Sequence, residues 1–434
     1  MGSKRILITT VVLQEIAKTA RVPRRPVSYS TGDDCFAAAN NIEFINGFTL
    51  PNHATQFLKA NLPSIDILEY PTWEEYQEAL SSGYDVVGIS FWMYTSPEAI
   101  EMARQARESG VGEVWGGGHG TSTPGIEQYF DRTFSGYAEF QLKELIEGER
   151  LTKITHPILT SQYDFFLQTI PTGYLFSVRG CRMSCEFCSG PRYYGRLCYT
   201  PIEEVERVLD VYRDQGIQHI TLIDETFLQS PSHAKTVLAA LKKRNMTFTC
   251  TSRIDHLIGR ISELKEMGLR NIYTGIESMN NGNLISVKKG ESSELTPLLM
   301  QELHENGCFA FGTYIIGLDA DTRQSVKEDI EKLSLFNSLY GVVFWIATPF
   351  PKTAYYERME QHNLINDRDP KHYDALHLVW NHPNLTTSDA NELLRWAVRH
   401  HCHPYNIRKN KILKAWDMLE SKDKDYQLEI TAHA

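Results

Sequence analysis

The chain has 434 residues, 42% hydrophobic and 23% charged, with a formal net charge of −10. That length leaves room for two or three domains with a sizeable core. The acidic balance excludes a protein that coats nucleic acid or anionic membrane, because both need a basic face.

The first 150 residues alternate short apolar runs with helical patterns. "KRILITTV", "IDILEYP", "YDVVGISF", "GEVWGGG" and "RTFSGY" read as strands, and "TWEEYQEAL", "SPEAIEMARQARESG" and "EFQLKELIEGE" have helical spacing. This order predicts a doubly wound, Rossmann-like parallel sheet over residues 1–150. Arg21 to Asn52 breaks the regularity and is expected to be a long loop with at most one helix. Residues 151–172 carry prolines and few periodic signals, and are expected to link two domains.

Alternation resumes over 173–370. The strands "GYLFSV", "IQHITLID", "MTFTCTS", "NIYTGIE", "FAFGTYIIGL" and "YGVVFWIATPF" are separated by helical stretches such as "PIEEVERVLDVYRDQG" and "PSHAKTVLAALKKRN". Six β/α units predict a partial parallel barrel, whose sites sit at the C-terminal strand ends. Residues 371–434 turn mostly helical ("SDANELLRWAVRHH", "IRKNKILKAWDMLE") and form a small C-terminal extension. No signal peptide or membrane span is evident.

Three of the eight cysteines, Cys181, Cys185 and Cys188, crowd into "SVRGCRMSCEFCSGPR" directly after the first barrel strand. The other five are scattered, which is not a disulfide framework, so the chain reads as cytoplasmic with reduced thiols. Crowded thiolates bind soft metal. Structural zinc takes four closed ligands, and no second pair with zinc spacing follows. Iron–sulfur clusters also usually take four thiolates, so three imply a cluster with one iron open to an outside ligand.

Cys181-x-x-x-Cys185-x-x-Cys188, with Phe187 before the last cysteine, resembles the radical S-adenosylmethionine (radical SAM) superfamily. The resemblance implies that the three cysteines hold a 4Fe–4S cluster and that S-adenosylmethionine chelates its fourth iron. Reductive cleavage then gives a 5′-deoxyadenosyl radical that abstracts a substrate hydrogen. It also implies cofactor contacts from Phe187 and from four strand-end residues. Asp224 and Glu225 in "LIDETF" would take the methionine ammonium, Arg253 in "TSRID" its carboxylate, and Glu277 in "YTGIES" the nucleoside. Asp224 and Arg253 could instead form an ion pair, and Glu277 could cap a helix. Gly312 and Gly317 in "FGTYIIGLDADT" read as packing and turn glycines, while Tyr193, Tyr194 and Tyr314 are either pocket or core. "ATPFPKTAYY" resembles the family's TPxPGT signature, with Lys352 where glycine is usual.

A doubly wound sheet before such a barrel resembles the cobalamin-binding branch of this superfamily. "YDVVGIS", ending at Ser90, "VWGGGHGTSTP", with Gly117, Gly118 and His119, and "FSGYAE", with Gly136 and Glu139, match its strand and loops. Glycines let backbone approach a flat corrin. Ala138 replaces a second glycine, and no Asp-x-His-x-x-Gly motif supplies a cobalt ligand. His119 is read as touching the corrin's periphery or as an ordinary loop histidine. In place of the branch's proline-bearing opening loop stands "ILITTVVLQEIAKTARVPRR", so either the cofactor's upper face is lined differently or the domain has lost cobalamin.

Three functions stand. The first is a methyltransferase that passes a methyl group from methylcobalamin to an unactivated carbon. The second is a radical enzyme performing a non-methylating rearrangement, cyclisation or oxidation, with or without cobalamin. The third is a non-catalytic metal-binding protein. The enzyme readings imply a small-molecule substrate and an electron donor such as flavodoxin or ferredoxin, with no nucleic acid partner. "RHHCHPYNIRKN" reads as a solvated or substrate-facing surface before a metal site.

Overall fold

The structure is a computed structural model and describes residues 4–12, 52–165 and 168–402. The expected loop before Asn52, Cys35 and the tail beyond Cys402 lie outside these residues. Five parallel strands form the front sheet: β1 (Ile6–Thr10), β2 (Asp66–Leu68), β3 (Val86–Ser90), β4 (Glu113–Gly117) and β5 (Arg132–Phe134). Their spatial order is β2-β1-β3-β4-β5. The order reverses between β1 and β3, and open α/β sheets bind ligands beyond the carboxyl ends of strands at such a switch. Helices α1 (His53–Asn61), α2 (Trp73–Ser81), α3 (Ser96–Glu108) and α4 (Ala138–Glu147) alternate with the strands. The start of α2 is fixed by a capping box, in which Thr72 and Glu75 satisfy each other's backbone N–H groups.

The second sheet begins inside the stretch expected to be a linker. β6 (Thr160–Phe165) runs antiparallel to β7 (Gln168–Leu175), and six parallel strands follow from β7 onward. Pro171 lies within β7. It precedes Thr172, the first residue of β7 in register with the next barrel strand, so its missing N–H interrupts no ladder on that side. After the short pair β8 (Val178–Arg179) and β9 (Cys198–Tyr199) come β10 (His219–Leu222), β11 (Thr247–Thr251), β12 (Leu269–Glu277), β13 (Phe309–Ile316) and β14 (Leu339–Ile346). The order β14-β13-β12-β11-β10-β7-β6 is the expected partial barrel with one antiparallel edge strand.

The helix α5 (Ile202–Asp214) shows why the outer layer forms. Its buried Val205, Val208, Leu209 and Tyr212 fall on one face at helical spacing. They join outward side chains of the strands, including Leu175, Ile220, Leu222, Phe248, Ile272 and Tyr314, in the main core. Tyr212 lies over Gly173, where a Cβ would stand 2.6 Å from its ring. Its hydroxyl bonds the carbonyls of Leu159 and Tyr174 at 2.8 Å. The helical end is α6 (Thr387–Cys402), held to the barrel by Arg323 pairing with Asp389 and Glu392.

The two sheets meet at their carboxyl edges. Phe57 of α1 packs with Leu159, Tyr174 and Phe176. Asn61 exchanges two 2.8 Å hydrogen bonds with the backbone of Thr155. Among the described residues no helix is long and apolar enough to cross a membrane.

Candidate functional site

The β8–β9 ladder pairs Val178 with Tyr199 and Arg179 with Cys198, closing the ends of the loop that carries the three cysteines. Gly180 precedes Cys181 with φ +91°, and a Cβ there would meet Arg196 O at 2.6 Å. Only glycine accepts that approach in that conformation. Gly180 N–H donates to Glu225 Oε2 at 2.7 Å, and Gln229 bridges Arg182 N–H and Gly180 O. Tyr137, from the front domain's "FSGYAE" turn, donates to the carbonyls of Arg179 and Arg196. Its hydroxyl therefore ties both ends of the cysteine loop to the front sheet.

Cys181, Cys185 and Cys188 are free thiols, each partly exposed. Burial raises all three thiol pKa values, that of Cys188 to about 12. Metal must therefore displace their protons on binding. Among the described residues no three His, Cys, Asp or Glu side chains converge where one ion could sit. A cluster makes a different demand, because its thiolates bind separate irons. Three unpaired thiols on one clamped loop fit such a group. Cys198 faces the Arg179 guanidinium at 3.7 Å. Phe187 packs against the barrel core.

The strand-end residues divide into two groups. Asp224 is buried beneath the loop and accepts from Ser177 N, Ser177 Oγ and Val178 N at 2.7, 2.5 and 3.1 Å. Burial lifts its pKa to about 7. Glu225 beside it is raised as well, by burial first, and faces the loop through Gly180 and Tyr194. On the other side, Arg253 forms a two-pronged pair with Asp255 at 2.9 Å and reaches Glu291 at 3.5 Å and Cys185 Sγ at 3.7 Å. Glu277 holds φ +62° at a bulge in the β12–β13 register, and bonds Lys289 Nζ at 3.3 Å and Thr313 Oγ1 at 3.0 Å. Bulges re-aim side chains next to sites. Gln229, Tyr137, Lys289 and Glu291 were not singled out from sequence. "VKKGE" reads as an exposed charged turn, and burial alone distinguishes it.

Tyr314 is core, with its hydroxyl on Asp329 at 3.0 Å. Gly312 packs against Ile276, and Gly317 turns at φ +86°. Lys352 takes φ +66°, the backbone that glycine favours, and its ammonium reaches Thr121 O of the front loop at 3.1 Å.

At the front sheet, Gly118 and Gly120 are required by the chain's own packing, since a Cβ at either would strike Phe91. Ser90 Oγ lies against Gly118. At Gly117 a Cβ would make only ordinary contact, 3.9 Å from the carbonyl oxygens of Ile89 and Phe134. Gly136, at φ +72°, abuts Tyr193 O, and Glu139 forms a buried ion pair with Arg179. His119 is sandwiched between Trp92, 4.8 Å away and 4° off parallel, and Tyr193 at 3.8 Å. Burial lowers its pKa to about 4. On the same carboxyl edge His53 Nε2 is buried with no hydrogen-bond partner, and burial keeps this ring neutral, with a pKa of about 4. The orphaned His53 nitrogen, with the backbone of Gly117 at the end of β4, fits a ligand along the carboxyl edge of the front sheet. His119, just beyond Gly117 in the chain, is the centre of the Trp92–His119–Tyr193 stack.

Residues 175–333 match the radical SAM superfamily model, so the barrel is a radical SAM domain. The chain is 26% identical over 359 residues to an uncharacterized methyltransferase of Pyrococcus horikoshii, covering 72% of this chain and 77% of that one. It is 24% identical over 332 residues to bacteriochlorophyllide d C-8(2)-methyltransferase of Chlorobaculum tepidum, covering 68% and 73%. Its fold is similar to the radical S-adenosylmethionine methyltransferase TsrM of Kitasatospora setae, solved with cobalamin and a 4Fe–4S cluster. There the TM-score is 0.61 at 15% identity, over 94% of this chain and 89% of that one. It is also similar to the cobalamin-dependent radical enzyme OxsB, solved with aqua-cobalamin and S-adenosylmethionine. That match has a TM-score of 0.64 at 14% identity, over 99% and 75%. The two-sheet architecture is thus shared with both of these solved structures.

Proposed function

We propose that the chain is a radical SAM C-methyltransferase acting on a small molecule, with Cys181, Cys185 and Cys188 as ligands of a 4Fe–4S cluster and cobalamin at the front sheet. When bound, the cluster supplies the electron that cleaves S-adenosylmethionine to a hydrogen-abstracting radical, and methylcobalamin supplies the methyl group. The observation that carries this reading is the clamp: Tyr137 hydroxyl on both ends of the cysteine loop fixes the loop at the carboxyl edge of the front sheet. Two reactive groups sharing one substrate need such fixed proximity.

The protein's own groups have distinct tasks in this reading. Glu225 offers carboxylate to the methionine ammonium while its Oε2 steadies Gly180. Asp224 holds Ser177 and Val178, and so acts through the loop it supports. Arg253 presents its remaining donor capacity beside Cys185, and Glu277 faces the nucleoside from the bulged end of β12. Gly117 and His53 line the corrin's edge. An iron–sulfur electron carrier or flavodoxin would reduce the cluster, in a reducing cytoplasm.

The non-methylating reading has one observation in its favour, the Trp92–His119–Tyr193 stack beyond the end of β4. Anaerobic reconstitution with iron, sulfide and hydroxocobalamin separates the two. Methyl transfer requires retained cobalamin, and S-adenosylhomocysteine formed together with 5′-deoxyadenosine when substrate is added. 5′-Deoxyadenosine without S-adenosylhomocysteine moves the assignment to the second reading. A colourless, zinc-loaded protein sinks both.

A further inference from the structure

Beside Cys185 lies a buried charge network, and two of its members, Lys289 and Glu291, have no task in the proposed reaction. Lys289 has a side chain only 6% exposed and sits between Glu277, at 3.3 Å, and Glu291, at 3.5 Å. Glu291 also reaches Arg253, which continues to Asp255 and to the Cys185 sulfur. Two cations thus face three carboxylates around one thiol. The fold makes explicit room for the pair. At Gly275 a Cβ would stand 2.0 Å from Glu277 Oε1 and 2.8 Å from Lys289 Nζ. Burying a lysine between carboxylates is poor value as stabilisation, because desolvation offsets the attraction. A fixed charge in a low-dielectric site, however, acts strongly on a neighbouring charge change.

We infer that Lys289 is a positioning residue for the electron step, an ammonium fixed by Glu277 and Glu291 so that its charge favours the reduced cluster at Cys185. This rests on the reading of the cysteine loop as a cluster site. Reduction adds one electron, taken from a one-electron donor, and creates one more negative charge on the cluster. A cation held nearby raises the reduction potential, and a nearby carboxylate lowers it. Cluster potentials depend on net charge and hydrogen bonding around the sulfurs.

The test is a mediator-coupled potentiometric titration of the reconstituted holoprotein at pH 8, followed by the electron paramagnetic resonance signal of the reduced cluster. Lys289→Met should lower the equilibrium constant for reduction by about tenfold, equivalent to a midpoint about 59 mV more negative for a one-electron couple. Lys289→Arg should restore it, and Glu291→Gln should move the midpoint the opposite way, to more positive values. A merely structural role would not give opposite signs. An unchanged midpoint in Lys289→Met with full iron content overturns the inference, as does a negative shift or no shift in Glu291→Gln. If Lys289→Met fails to retain iron, the sign of the Glu291→Gln shift decides alone. A wild-type chain that takes up no iron sinks the proposed function first. An iron-loaded chain that ignores both substitutions sinks only this inference.

Discussion

Lys352 holds φ +66° and spends its ammonium on Thr121 O, across to the front loop. Lys352→Ala loses that bond but keeps the left-handed backbone. Lys352→Gly loses the bond and relieves the conformation, so it should be the more stable of the two by about 1 kcal/mol in urea unfolding. Asp224 makes a separate, pH-dependent contribution. Its pKa rises from 3.8 unfolded to about 7 folded, because burial disfavours the charge. The folded state thus holds a proton that the unfolded state has released. Stability from this group is full below pH 3.8 and is lost as pH rises toward 7, by up to about 4 kcal/mol. Asp224→Asn should flatten that part of the pH dependence, measured as unfolding midpoints between pH 5 and 8. At this scale the sequence displayed the cysteines, because their spacing is local. Lys289 and Glu291 were illegible, since a charged pair in "VKKGE" acquires its meaning only from the strands that bury it.

Gly173 and Tyr212 show the same dependence on context at the level of elements. The strand and the helix were each readable from apolar spacing, but the seat of the tyrosine ring over a glycine was not. Gly173→Ala should force the ring outward, cost about 1–3 kcal/mol and loosen the Leu159 and Tyr174 bonds. The chemical denaturation midpoint checks this. β6 was missed because prolines and polar residues mark its neighbourhood as a linker, whereas its pairing with β7 is non-local. The bulge at the end of β12 was equally invisible, as it is a property of register between two strands. The six barrel strands and the front sheet were legible because buried parallel strands read as continuous apolar runs.

Across the whole molecule, the front domain and the barrel are joined at the cysteine loop by Tyr137, by the buried Glu139–Arg179 pair and by the His119–Tyr193 stack. Sequence motifs placed "FSGYAE" and "GGGHG" in the front domain but could not show that both face the cysteine loop. Glu139→Gln leaves Arg179 buried without its counter-charge and should destabilise the protein by about 3–5 kcal/mol. Its thermal unfolding should show the loss, with cluster loading reduced as the loop loosens. The central claim is that three thiolates hold a cluster that cleaves S-adenosylmethionine. Anaerobic reconstitution, iron and sulfide analysis, and 5′-deoxyadenosine release under reductant test it most directly. The wild type should bind about four irons and release 5′-deoxyadenosine, and Cys185→Ala should release none. Undiminished 5′-deoxyadenosine from Cys185→Ala, or a wild type that holds zinc in place of iron, would contradict the account.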